Sequence, residues 1–171
     1  MGTQVQQSDR EVLQKTMECV NAFGKGDFEA RLETFSGKNA FVNEIIEALR
    51  ANLKHVVDEV GGLIGATKDG KLDTRGNAEA FEGGWGTLVG GVNELIDAFV
   101  APINVTAEYV DRISKGDIPE KITAEYKGDF NEIKNNLNAC VDVMNNLLTE
   151  TRRLIGATKD GKLDTRGNAE A

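Results

Sequence analysis

Residues 63–80 read LIGATKDGKLDTRGNAEA, and residues 154–171 repeat all eighteen letters without a change. Duplication at an offset of 91 residues means that one structural unit, or a pair of units, is used again. Each copy begins in apolar, helix-like sequence and passes through Asp-Gly into a polar stretch, so it straddles a helix end and a connector. The chain is therefore expected to be a string of helix, connector, helix units.

Working outward from the first copy, the apolar positions upstream are Val42, Ile46, Leu49, Leu53, Val56, Val60 and Leu63. Their alternating steps of four and three are the seam of a coiled coil. Gly61 and Gly62 weaken its last turn. Downstream the pattern resumes with Trp85, Leu88, Val92, Leu95, Phe99, Ile103, Thr106, Val110 and Ile113. Pro102 lies inside this run, and a helix-to-helix joint is expected there. Gly83, Gly84, Gly86, Gly90 and Gly91 predict a soft helix start. A last helix carries Phe130, Ile133, Leu137, Cys140, Met144, Leu147, Thr151 and Leu154 and enters the second copy of the repeat. At the other end, Ser8 is the expected N-cap of a first helix through Leu13, Met17 and Val20 that stops near Gly24 and Gly26.

The connectors share a signature: Gly26-Asp27-Phe28, Gly70-Lys71-Leu72 and Gly116-Asp117-Ile118, with Gly161-Lys162-Leu163 opening a fourth. From each glycine to the first seam residue of the next helix (Val42, Trp85, Phe130) there are 16, 15 and 14 residues. Antiparallel neighbours need only a short turn of roughly two to eight residues. A connector of about a dozen extended residues covers about 40 Å, enough to run back along the helix and start the next one in parallel. Phe28 and Leu32, and Ile118 and Ile122, would pin it between the helices. Two parallel helices cannot close a core alone, so pairing with a second copy into a parallel four-helix bundle is expected.

Composition bounds the rest. With 171 residues, 40% hydrophobic and 28% charged, the chain reads as all-α soluble protein. A net charge of −8 disfavours nucleic acid, whose phosphates need clusters of Lys and Arg. Cys19 and Cys140 fit no metal or redox spacing and read as reduced packing residues of a cytosolic protein. The N-terminal residues lack the pattern of a signal peptide. Residues 83–101 are the most membrane-like, but Glu94 and Asp97 interrupt them, so spanning is not expected.

Parallel helix pairs joined by a Gly-x-hydrophobic connector resemble HAMP domains, the signal-relay modules of chemoreceptors and sensor histidine kinases. The third unit carries the resemblance most fully, with Pro102 in its first helix, Gly116, Ile118 and Ile122 in its connector, and Gly128-Asp129-Phe130-Asn131-Glu132-Ile133 through Leu137 opening its second helix. In the family a Glu usually stands where Asp129 does. The first unit matches through Gly26, Phe28, Leu32 and Asn43-Glu44-Ile45, with Phe41 at the acidic position. The second matches through Gly70, Leu72, Trp85, Leu88 and Val92, with Gly84 there.

The resemblance implies tandem units over residues 9–53, 54–100 and 101–149, then the first half of a fourth at 150–171, forming an elongated array of homodimeric bundles. It implies a cytoplasmic relay between a sensor and an output domain of the same full-length protein, soluble or anchored in the inner membrane. The runner-up is a passive coiled-coil spacer that sets distance and dimerises its neighbours.

No enzyme is expected: neither a catalytic constellation, a metal site, a cofactor nor a small-molecule substrate is indicated. Gly65 to Lys71 has the spacing of a phosphate-binding loop, but Leu72 replaces its final Ser or Thr and a helix precedes it. His55 stands alone and reads as a solvated rim residue. Asp129 is expected to accept backbone hydrogen bonds at the start of its helix. Residues 160–171, without a second helix to pack on, are expected to be frayed or displaced.

Overall fold

The computed structural model describes residues 2–167, with side chains from Asp9 onward. Among the described residues there are four long helices and no strands: α1 (Gly2–Gly24), α2 (Ala40–Lys68), α3 (Gly84–Ser114) and α4 (Asp129–Lys159). Short 3-10 turns at Gly37–Asn39 and Ala78–Ala80 lie in the first two connectors. The chain divides into two compact bodies, Met1–Ile96 and Asp97–Ala171. The first holds the helix pairs α1/α2 and α2/α3; the second holds the end of α3 with α4.

Two helix boundaries differ from expectation. Helix α1 starts at Gly2, so Ser8 is inside it. The residues ahead of Ser8 are compatible with a helix, and one internal serine costs only a fraction of a kcal/mol, about 0.5 relative to alanine. Helix α3 runs through Pro102 with no joint. A proline removes one backbone bond, that to the carbonyl of Ala98, and Ala98 is exposed, so water can serve the freed carbonyl. Pro102 is itself buried, and its carbonyl accepts the Thr106 hydroxyl at 2.8 Å. Helix α2 likewise passes through Gly61 and Gly62, because buried Val56 and Leu63 on either side hold it.

The hydrogen bonds and ion pairs fix the direction of the connectors. Along connector 1, Lys38 meets Asp9 at 2.8 Å, Glu33 meets Lys15 at 3.2 Å, and the Ala30 carbonyl accepts the Cys19 thiol at 3.6 Å. Rising connector numbers meet falling α1 numbers, so the connector runs back along α1. Helix α2 then meets it in the opposite sense, Asn43 at Glu33 and Phe35, Arg50 at Ala30, and Lys54 at Glu29. Helices α1 and α2 are therefore parallel, as the connector lengths predict. The same sequence of contacts recurs in the second body, with Tyr109 at Glu120, then Asn138 at Ile122 and Asp142 at Lys121.

Candidate functional site: the connector between its helices

Each connector leaves its helix through one turn chemistry. Gly26, Gly70, Gly116 and Gly161 have φ of 86°, 76°, 78° and 74°, a left-handed conformation that side chains with a Cβ rarely adopt. The residue after each glycine donates its N–H back to a carbonyl five residues earlier, as from Lys71 to Ala66 at 2.9 Å and from Asp117 to Arg112 at 3.0 Å. This is a Schellman end, and it gives the shared Gly-x-hydrophobic signature a physical cause. The phosphate-loop spacing from Gly65 is absorbed here, since Gly65 to Lys68 are helical and Gly70 is the cap. A second glycine with positive φ stands before each following helix, Gly37 at 60°, Gly83 at 56° and Gly128 at 54°.

Phe28 and Leu32 pack on the core of Cys19, Phe23 and Ile46, with the Phe23 and Phe28 ring centroids 6.3 Å apart. Leu72 is half-buried. Ile118 is half-buried beside fully buried Pro119. Pro102, Ile122, Phe130, Ile133 and Leu137 line one small cavity, and Phe99 meets Phe130 edge-on at 5.7 Å. In connector 2, Gly76 is buried against Val89 and Leu63, where even a Cβ would come within 2.8 Å of Val89 Cγ1. Gly86 belongs to packing as well: a Cβ there would lie 2.8 Å from the Phe81 carbonyl, so the missing side chain is what lets α3 approach the connector. Trp85, at the start of α3, is partly exposed.

One device was not read from the sequence, although one of its residues, Asn43, lies in the motif matched in the first unit. Asn93 accepts the Gly76 N–H and donates to the Gly76 carbonyl, both at 2.8 Å. Asn138 does the same to Ile122 at 2.7 and 3.0 Å. Asn43 accepts from the Phe35 N–H at 2.8 Å and donates to the Glu33 carbonyl at 2.7 Å. Each asparagine is half-buried on the second helix and clamps the connector backbone with both ends of its amide. A signal was available, since each directly follows a seam residue: Val42, Val92 or Leu137.

These clamps also correct the register. They align Val42 with Val92 and Leu137 rather than with Trp85 and Phe130, a shift of one heptad. The position equivalent to Asp129 then falls at Thr34, in the connector before α2 begins, so Phe41 has no bearing on it. Asp129 is the first residue of α4, after Gly128, and its carboxylate is exposed. Among the described residues no donor meets it, and only its charge near the positive helix end favours the site.

Unit 1 has a further tie. Arg50, with a side chain 11% exposed, reaches the Glu47 carboxylate at 2.7 Å and the Ala30 carbonyl, and lies 5.5 Å from the Phe23 ring centre. His55 is exposed and stacks on Phe81 at 4.3 Å.

The helices carry a second apolar stripe that the connector leaves bare. Leu13, Met17 and Val20 on α1, Ile45, Leu49 and Val57 on α2, and Leu95, Phe99 and Ile103 on α3 are all exposed. The expected α2 seam is thus divided: Ile46, Val56 and Leu63 are buried within the chain and Leu49 faces outward. Helix α3 is long and apolar enough to cross a membrane by length and composition. Among the described residues no group of His, Cys, Asp and Glu is placed to hold a metal ion.

The sequence model of the family described as HAMP domain matches residues 80–146, and that described as HAMP N-terminal domain 3 matches residues 12–54.

Proposed function

Since the chain belongs to the HAMP domain family, whose members relay signals in sensor proteins, we propose that it is the cytoplasmic relay segment between the sensor and output domains of a bacterial chemoreceptor or sensor kinase. It works as a parallel homodimer and carries out no catalysis itself. The observation that carries this reading is α2, one unbroken helix that is the second helix of the first pair and the first helix of the next. A displacement of α2 in one pair is handed to the other through the same backbone. The exposed stripe supports the dimer: exposed apolar residues along α1, α2 and α3 call for a partner helix of the same kind.

A relay needs two packings of similar free energy whose balance the input shifts. The test is disulfide crosslinking of single cysteines at Leu49 and Val57, and at Leu95 and Phe99, in the full-length receptor with and without stimulus. The expected result is a crosslinking pattern that changes with stimulus. One fixed pattern in both states would leave a passive spacer as the reading. The isolated chain should run at twice its 18.5 kDa in solution; a monomer would remove the partner that the stripes require.

A further inference from the structure

The connector is tied to its two helices unequally. To the helix that follows, each is held by a half-buried asparagine that makes two neutral hydrogen bonds to its backbone. To the helix that precedes, no side chain among the described residues grips the connector backbone with two hydrogen bonds. Connector 1 has the Lys15–Glu33 and Lys38–Asp9 ion pairs at 3.2 and 2.8 Å and the Cys19 thiol on the Ala30 carbonyl at 3.6 Å. Connector 2 has the Glu59 carboxylate on the Asn77 N–H at 2.7 Å. Connector 3 has the Arg112–Asp117 ion pair at 2.7 Å and the Tyr109 hydroxyl on the Glu120 carbonyl at 2.8 Å. All but the thiol contact are exposed. Exposed ties of this kind contribute little, because water competes for both partners. An amide clamp leaves two backbone groups without partners when it opens, which costs more where the bonds are part-buried, as at Phe35, Gly76 and Ile122.

From this inequality we infer that Asn43, Asn93 and Asn138 lock each connector to its second helix, so that connector and second helix move as one body. The first helix is the part that slides or turns against them. The lock also fixes the heptad register in which the second helix meets the connector, because a turn of that helix would carry the amide away from Glu33 and Phe35, from Gly76, or from Ile122. Lys54 with Glu29 and Lys121 with Asp142 add charged ties on the same second-helix side. The lock is a property of the folded chain. Only its use in signalling rests on the relay reading.

Native-state hydrogen exchange on the full chain tests it without any signalling assay. As urea is added, the Ile122 N–H is expected to open together with the amides of Leu137 and Val141 on α4, and separately from those of Val105 and Tyr109 on α3. Asn138→Ala is expected to speed exchange of the Ile122 N–H at least about tenfold, whereas Tyr109→Phe leaves it within about twofold. Asn138→Asp, which keeps the acceptor, should keep that N–H protected and shows that the fold survives change at the site. Exchange of Ile122 in step with α3, or equal effects of Asn138→Ala and Tyr109→Phe, would overturn the lock. A fixed crosslinking pattern in the receptor would instead overturn the relay and leave the lock standing.

Discussion

Leu63 and Leu154 open the same eighteen letters, yet Leu63 is 4% exposed while Leu154 is only half-buried. The backbone ends of the two copies match. Gly70 and Gly161 have φ of 76° and 74°, the N–H groups of Lys71 and Lys162 both reach back 2.9 Å to a carbonyl, and Arg75 and Arg166 bond the Leu72 and Leu163 carbonyls. Residues 160–167 therefore keep the local bonds of the first copy, whereas residues 168–171 lie outside the described residues. The difference lies in burial. Gly76 is buried and clamped by Asn93, whereas Gly167 is exposed and Leu163 is 75% exposed. Helix ends are written in the nearest few residues, and burial is conferred by a second helix, which among the described residues packs on the first copy only.

The flanks sharpen the contrast. Glu59, ahead of the first copy, accepts the Asn77 N–H at 2.7 Å. Its counterpart Glu150 pairs with Arg153 at 2.9 Å, and Arg153 donates to the Arg166 carbonyl at 2.7 Å. Where the first copy has Gly62 and a packed helix, the second has an arginine bracing the connector from its own helix.

The largest test compares matched truncations. Leu63→Ala should cost about 3 kcal/mol in urea unfolding, within the range for a buried leucine, and Leu154→Ala less than about 1 kcal/mol, as for a partly exposed site. Equal costs would mean that the second copy finds a partner in solution. A smaller contrast is expected at the glycines. The Cβ of Gly76→Ala would meet Val89 at 2.8 Å and Leu63 at 3.1 Å, whereas that of Gly167→Ala meets, among the described residues, only Leu154 at 3.5 Å. The first should cost about 2 kcal/mol through overpacking and the second less than about 0.5 kcal/mol. Similar thermal shifts for both would refute the claim that α3 makes the difference.

The same division between local and tertiary causes governs what could be read from the letters. The glycine turns, the parallel direction and the packing of Phe28, Leu32 and Ile122 were legible, since each depends on a residue type at a spacing. The start of α1 was missed because a mid-helix serine looks like a cap. The joint at Pro102 was misread because one lost hydrogen bond does not end a helix whose next turns pack well. The asparagine clamps escaped because a polar residue beside a seam has the letters of a solvated face. Only the return of the connector makes it a binding partner, and that displaced the register of the first unit by a heptad.

Giving the second copy a helix should convert it into the first. With residues 81–100 appended after Ala171, a helix equivalent to the start of α3 becomes available to Leu154, Leu163 and Gly167. Amide exchange at residues 163–167 should then slow about tenfold, or about 1.4 kcal/mol, approaching the protection at residues 72–76. Unchanged exchange in the extended chain would place the cause in the Arg152-Arg153 flank instead. Arg153→Gly in the extended chain would show how much that flank opposes the conversion.

The smallest effect concerns the connectors outside the repeat, and it asks whether burial or charge separates the two copies. Lys38 holds the Asp9 carboxyl below the ordinary carboxylate value, Lys54 does so for Glu29, and Arg112 for Asp117, each chiefly through a direct hydrogen bond. A carboxylate lowered in the folded state stabilises the fold at every pH above its unfolded value and loses that contribution as pH falls through the folded one. Connectors 1 and 3 should therefore loosen only in acid, below the ordinary values of 3.8 for the aspartates and 4.5 for the glutamate. The loss should be slight, because all three groups are exposed and screened by water. Lys38→Ala, Lys54→Ala and Arg112→Ala should each raise its partner's titration toward the ordinary value, read by carboxyl NMR. The Asn93 clamp on Gly76 has nothing to titrate, so the exchange difference between Gly76 and Gly167 should persist while these carboxylates take up protons. Its disappearance over that range would make the contrast between the copies electrostatic, and the packing of Leu63, Gly76 and Val89 would no longer account for it.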